Sequence, residues 1–205
     1  MRAQLSLLAP VSPAEPTPGE DVAYTPLSRA HAIVRSLLPD LGPYALVCDP
    51  HAGGGSFLRA FQAHGLAYRA REIDPAAVAL LHAQGLDCET GDFLDMVRPR
   101  CDLSFIGNPP WSEAEEHLLH ALSWRPRMVG WILPAGWLNR VERSAAVFDT
   151  PDYGCPVICP MVNRNAYGGP GRTGKSTGSR DDLFVVWPRR DALTPRFEPR
   201  LILER

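Results

Sequence analysis

Apolar positions along the chain fall into two periods. Ala30, Ile33, Val34, Leu37 and Leu38 recur at three- and four-residue spacing, which predicts a helix with one buried face. Thr25 followed by Pro26 reads as its N-cap and first helical residue. Beyond it, short apolar runs alternate with helical stretches. Strands are predicted over 45–48, 68–73, 88–90, 103–106, 129–133, 156–159 and 183–187. Between them, Phe57, Leu58 and Phe61 mark one helix. Asp74-Pro75 caps a second, carrying Val78, Leu80 and Leu81. Ser112 with Glu115 forms a capping box for a third, through Leu118, Leu119 and Leu122. Alternation of strand and helix predicts an α/β fold: a mostly parallel, seven-stranded sheet with helices on both faces. Ligands of such sheets sit at the carboxyl ends of the strands, so function is expected just after Cys48, Ile73, Thr90, Ile106 and Leu133.

Those strand ends carry polar chemistry. After the first comes Asp49-Pro50-His51-Ala52-Gly53-Gly54-Gly55-Ser56, a glycine-rich turn whose backbone can approach a ligand closely. The second ends in Glu72-Ile73-Asp74, with Asp74 read as a helix cap. Glu72 lies about 20 residues beyond the glycines, where a carboxylate accepts from both ribose hydroxyls. The third is followed by Gly91-Asp92-Phe93, an acceptor for an adenine amino group beside a ring able to stack. The fourth ends in Asn108-Pro109-Pro110-Trp111. Two prolines fix this backbone, so the Asn108 side-chain oxygen and the Pro109 carbonyl can accept both hydrogens of one amino group, with Trp111 stacking on the base that carries it. Two acceptors draw such an amine towards tetrahedral geometry and free its lone pair for attack on an electrophilic methyl.

Composition narrows the setting. A 45% hydrophobic chain of 205 residues suits one domain with a sizeable core. The net charge of −2 gives no global positive field, so an anionic partner needs a local patch. One such patch is 161–180, with Arg164, Arg172, Lys175 and Arg180 and no acid, a candidate phosphate-contacting loop. No apolar stretch reaches the ~20 residues that span a bilayer, and five scattered cysteines suit a reducing, cytoplasmic setting. Residues 1–20, with four prolines, read as a flexible arm before a single domain over 21–205.

As a set, in order and spacing, Asp-Pro-x-Ala-Gly-x-Gly-x-Phe, Glu-x-Asp-Pro, Gly-Asp-Phe and Asn-Pro-Pro-Trp resemble the S-adenosylmethionine-dependent amino-methyltransferases. The likeness is to adenine-N6 methyltransferases of restriction-modification systems and phages, over roughly 24–188. It implies a Rossmann-like methyltransferase fold and S-adenosylmethionine as cofactor. It further implies that Tyr24 and Thr25 meet the cofactor carboxylate, while Asp49, Pro50, Ala52, Gly53 and Gly55 hold its methionyl part. Glu72 and Ile73 would meet its ribose, and Asp92 and Phe93 its adenine. Asn108, Pro109, Pro110 and Trp111 would hold the target amine, with Tyr167 on the other face of the base and Arg164, Arg172 and Lys175 on the phosphates. DNA is the expected partner and RNA the alternative. Sequence-specific members carry a target-recognition domain for which this chain has no room, so specificity is expected to be low or supplied by a partner protein.

Other readings remain beside it. Asn-Pro-Pro-aromatic serves any planar amine, including RNA adenine or a glutamine amide, and a non-catalytic cofactor-binding subunit is a further class. Residues 169–176 match the Walker A pattern but lack the strand directly before and helix directly after that it requires. Cys155 and Cys159 read as buried cysteines flanking a strand, and His117 and His120 as packing or solvent-facing, so no metal is expected.

Overall fold

The computed structural model describes residues 24–42, 45–139, 147–148, 150–162, 182–191 and 197–204. The proline-rich arm at 1–20, Arg164, Tyr167, Arg172, Lys175 and the Walker-like segment lie outside the described residues. The parallel half of the sheet is built from β1 (Leu46–Asp49), β2 (Ala67–Glu72), β3 (Glu89–Thr90), β4 (Leu103–Gly107) and β5 (Met128–Pro134). Strands β6 (Val157–Val162), β7 (Asp182–Pro188) and β8 (Ile202–Leu203) complete it. Their order is β3-β2-β1-β4-β5-β7-β6-β8, with β7 antiparallel to both its neighbours. Among the described residues the sheet thus has eight strands where seven were expected. The additional one, β8, adds only Ile202 and Leu203 alongside β6, too short for any alternation to register in sequence.

Among the described residues, helices α1 (Leu27–Leu41), α2 (Ser56–Ala63), α3 (Pro75–Ala83) and α4 (Ala114–Ser123) flank the sheet. Strand residues alternate between two cores. Val47, Ile106, Met128, Ile132 and Val186 pack with Ile33, Val34 and Phe61 of α1 and α2. Cys48, Phe105, Val129, Trp131, Leu133 and Trp187 pack with Leu118 and Ala121 of α4. Both faces are thus covered, as a parallel sheet requires. Burying the Trp131 and Trp187 side chains alone removes some 150–250 Å² each from water. Trp187 satisfies its indole N–H on the Val147 carbonyl at 2.8 Å.

Helix starts differ in detail from the expected caps. Asp74 does cap α3, its carboxylate accepting from Ala76 N–H at 2.8 Å. Pro26, however, is extended (ψ 143°) and sits at the N-cap of α1, so the helix starts one residue later and Thr25 stands outside it. Helix α4 starts at Ala114 with Glu113, not Ser112, at its N-cap. The chain leaves Pro110 through a turn closed by Glu113 N–H on the Pro110 carbonyl, which postpones the helix. Cys159 is buried as read, but Cys155 is exposed, because it precedes β6 in a surface turn. No helix among the described residues is long and apolar enough to cross a membrane.

Candidate active site

Chain order reverses between β1 and β4, which opens a crevice at their carboxyl ends. A cleft of about 930 Å³, its open mouth included, occupies this place. Its walls come from the segments after β1, β2, β3 and β4, the residues preceding α1, and the start of α4. Among the described residues, none after β5 lines it.

Asp49 closes β1 and is 1% exposed. A side chain at Gly107 of β4 would put its Cβ 2.6 Å from Asp49 Oδ1, so the bare glycine makes room for the carboxylate. The His51 backbone N–H donates to the same oxygen at 3.1 Å. Burial pushes the Asp49 carboxyl up to about 7, opposed by the His51 N–H and reinforced by the negative charge of Glu72. Glu72 staples the glycine turn to β2, with Oε2 accepting from Gly53 N–H at 2.7 Å and Oε1 from Asp74 N–H at 3.0 Å. Each oxygen keeps a second lone pair for a ligand. Tyr24 lies over the turn, where a Cβ on Gly54 would come within 3.3 Å of its ring.

Of the expected cofactor residues, the cleft gathers Tyr24, Thr25, Asp49, Pro50, Ala52 and Gly53. It also gathers Glu72, Ile73, Asp92 and Phe93. Ile73 is 67% exposed at the rim, an apolar surface open to a flat ligand. Asp92 commits Oδ1 to Leu94 N–H at 2.9 Å. Phe93 contributes to the wall but is 2% exposed, packed against Phe105 and His120, so it does not present the open ring face expected of a stacking partner. Gly55 faces away from the cleft. Its φ of +76° and a Cβ position 2.5 Å from Leu81 Cδ2 make it the contact between the turn and the Leu81–Leu86 region, a packing requirement for a bare glycine.

Asn108, Pro109 and Pro110 line the same cleft. Trp111 does not. It is buried in the core under α4, and its indole N–H donates to Asn108 Oδ1 at 3.1 Å. The expected stacking partner of a base is here a support for the asparagine, because the turn after Pro110 carries the indole inward.

Two histidines that the sequence reading did not place in the site also line the cleft: His51, at the variable position of the glycine motif, and His117 of α4, which was read as packing or solvent-facing. Their rings join through His51 Nε2 and His117 Nδ1 at 2.8 Å. This is shorter than the separation of about 3.5 Å between packed atoms. Rings within 11° of parallel are therefore bonded edge to edge, not stacked. Burial lowers the pKa of both histidines, so both are neutral at pH 7. The usable signal for His117 was its i,i+4 spacing from Glu113, on the helix face shared with Leu118 and Ala121.

No protein-family model and no curated protein sequence matches the chain. Solved structures do match it. The fold is that of the Rossmann-like methyltransferases. The 23S rRNA methyltransferase ErmE superposes with a TM-score of 0.53 at 17% identity, over 87% of this chain and 70% of that one. The 16S rRNA N2 guanosine methyltransferase of T. thermophilus, in complex with AdoMet and guanosine, gives 0.53 at 14% identity over 93% of this chain and 46% of that one. The magnesium protoporphyrin IX methyltransferase of Synechocystis, with bound SAM, gives 0.53 at 17% identity over 80% and 79%. One scaffold thus serves methyltransferases named for rRNA and for magnesium protoporphyrin IX, and the choice of substrate lies in the site.

Proposed function

We propose that the protein is an S-adenosylmethionine-dependent methyltransferase acting on the exocyclic N6 amine of adenine in DNA. One observation carries the reading: the rigid Asn108-Pro109-Pro110 corner of β4 and the acidic, glycine-rich ends of β1 and β2 face a single cleft. The donor set suits the cofactor. Asp49 complements its ammonium, Glu72 its ribose hydroxyls, and Asp92 its adenine amine, and AdoMet or SAM is present in two of the similar structures. Bound there, the cofactor would supply a methyl group on a sulfonium. The chain does the rest by positioning and electrostatics. Asn108 Oδ1, oriented by the Trp111 indole N–H, accepts one amine hydrogen, and the Pro109 carbonyl takes the second.

A second reading, the same chemistry on adenine in RNA, is favoured by the RNA-modifying proteins among the similar structures. A glutamine amide fits the corner equally but gives no use to the basic 161–180 segment, which we assign to phosphates from its sequence. A non-catalytic subunit would have no need of Asn108 in the cleft.

Incubation of the protein with methyl-labelled S-adenosylmethionine and, in parallel, duplex DNA, single-stranded DNA, RNA and protein tests the reading. Label is expected in N6-methyladenine of DNA. Label confined to RNA selects the second reading, and none in any polymer refutes both. The Asn108→Ala variant is expected to lose transfer by at least about 10²-fold while binding S-adenosylhomocysteine as wild type does in calorimetry. Unchanged turnover would remove Asn108 from the mechanism.

A further inference from the structure

The His51–His117 pair has a direction. Glu113 Oε2 lies 3.8 Å from His117 Nε2, and Glu113 is exposed whereas His117 is buried. A carboxylate on that side favours the tautomer with hydrogen on Nε2. His117 Nδ1 is then a lone pair, so the 2.8 Å bond requires His51 to donate from Nε2. His51 Nδ1 is in turn left as a lone pair. It is buried and has no hydrogen-bond partner among the described residues, on a ring that lines the cleft with Asn108. A buried nitrogen base without a partner is a feature that structural packing alone does not explain.

We propose that His51, His117 and Glu113 form a proton exit from the cleft, with His51 Nδ1 as the general base for the amine being methylated. The inference rests on the methyltransferase reading above. As the amine nitrogen bonds to the methyl carbon, the carbon–sulfur bond breaks and its electron pair stays on the neutral thioether. Nitrogen becomes cationic and one of its hydrogens acidic. That proton passes to His51 Nδ1. The Nε2 hydrogen of His51 moves to His117 Nδ1, and the Nε2 hydrogen of His117 leaves to Glu113, whose exposed carboxylate stands 3.8 Å away and closes to hydrogen-bond distance by a side-chain rotation. Glu113 releases it to solvent. Both imidazoles end neutral with their hydrogens on Nδ1, and exchange with water after product leaves restores the starting tautomers.

Neutral rings suit this task, since a protonated His51 has no lone pair to offer. Burial and the neighbouring imidazole keep His51 neutral. The groups that face the pair are Asp49 beside His51, Asp92 after β3, and Glu113, Glu116 and His120 on α4. Phe93 and Trp131 complete the surroundings without charge.

Single-turnover methyl transfer to an adenine-containing single-stranded oligodeoxynucleotide, or to whichever polymer accepts label above, measures the relay. His117→Ala is expected to slow it by about 10²-fold, the lower end of general-base contributions. Added imidazole should restore part of the rate, and the acid limb of the pH–rate profile should move. His117→Gln, which keeps an acceptor for His51 but cannot pass a proton on, should be as slow and not rescued. Calorimetry with S-adenosylhomocysteine confirms that each variant folds. Nitrogen-15 NMR of the labelled histidines should find hydrogen on Nε2 of both His51 and His117. A variant rate equal to wild type, or hydrogen on His51 Nδ1 in the free protein, overturns the relay. A wild-type chain inactive on every polymer overturns the methyltransferase reading itself, and the relay with it.

Discussion

At pH 7 the Asp49 carboxyl sits near its midpoint, since burial holds it up to about 7 from the ordinary 3.8. Between those values the native state binds more protons than the unfolded chain, so this group makes the free protein more stable as pH falls from about 7 towards 3.8. A cation beside Asp49 reverses the preference and expels the proton. Cofactor binding at pH 6.5 is therefore expected to release about three-quarters of a proton, and its affinity to weaken as pH drops below about 7. Calorimetry in buffers of different ionisation enthalpy reads this directly. No proton release, or release undiminished in Asp49→Asn, would separate Asp49 from the cofactor. Trp111 carries a second expectation at this scale. Its hydrogen bond orients the Asn108 amide, and one such bond contributes about 0.5–1.5 kcal/mol. Trp111→Phe should lower kcat up to about tenfold at unchanged KM for the cofactor. A changed KM for the polymer with kcat intact would return Trp111 to base stacking. Asp49, Glu72 and Asn108 were legible because strand ends expose whatever residue follows the last apolar position. His117 was not, since a helical histidine reveals its partner only once α4 has packed against β5 and the segment after β3.

Secondary elements were read from their periods, and most stand where the alternation put them. The two-residue β8 escaped because it has no period. The starts of α1 and α4 moved because extended Pro26 and the turn after Pro110 delay the helical conformation. The glycine turn repays attention at this scale. Gly55 joins β1 to α2 in a left-handed conformation and lets the turn press on Leu81 and Leu86. Gly55→Ala should lose about 1 kcal/mol for the backbone and about 1–3 kcal/mol for the overpacking, seen as a lowered midpoint in urea. A stability equal to wild type would show that α3 yields freely. The same motif in sequence suggested a ligand contact for Gly55. Only the neighbouring elements show which glycine faces the ligand and which faces the core.

For the molecule as a whole, Arg29 links distant segments. It is 2% exposed, donates to Glu204 Oε1 at 2.9 Å and lies 3.8 Å from Asp182 Oδ2. Ser28 Oγ donates to Glu204 Oε2 at 2.7 Å. The start of α1, which carries Thr25 into the cleft, is thereby tied to the first residue of β7 and to the residue after β8. Removing one partner of a buried ion pair leaves a buried charge uncompensated, so Arg29→Ala should lose about 3–5 kcal/mol. Thermal or urea unfolding checks it, and a loss under 1 kcal/mol would mean that water enters and solvates the carboxylates.

By itself the sequence determined the α/β class, the parallel half of the sheet, and the acidic and Asn-Pro-Pro strand ends. These follow from local periods and from residues whose backbone preferences hold in any context. Tertiary structure alone decided that Trp111 turns inward, that Gly55 presses on Leu81 and Leu86, and that His51 meets His117. The last two join parts of the chain that are far apart in sequence, Gly55 with Leu81 and Leu86, and His51 with a histidine 66 residues on. Contacts of that kind arise from the burial of whole faces, which no local pattern encodes.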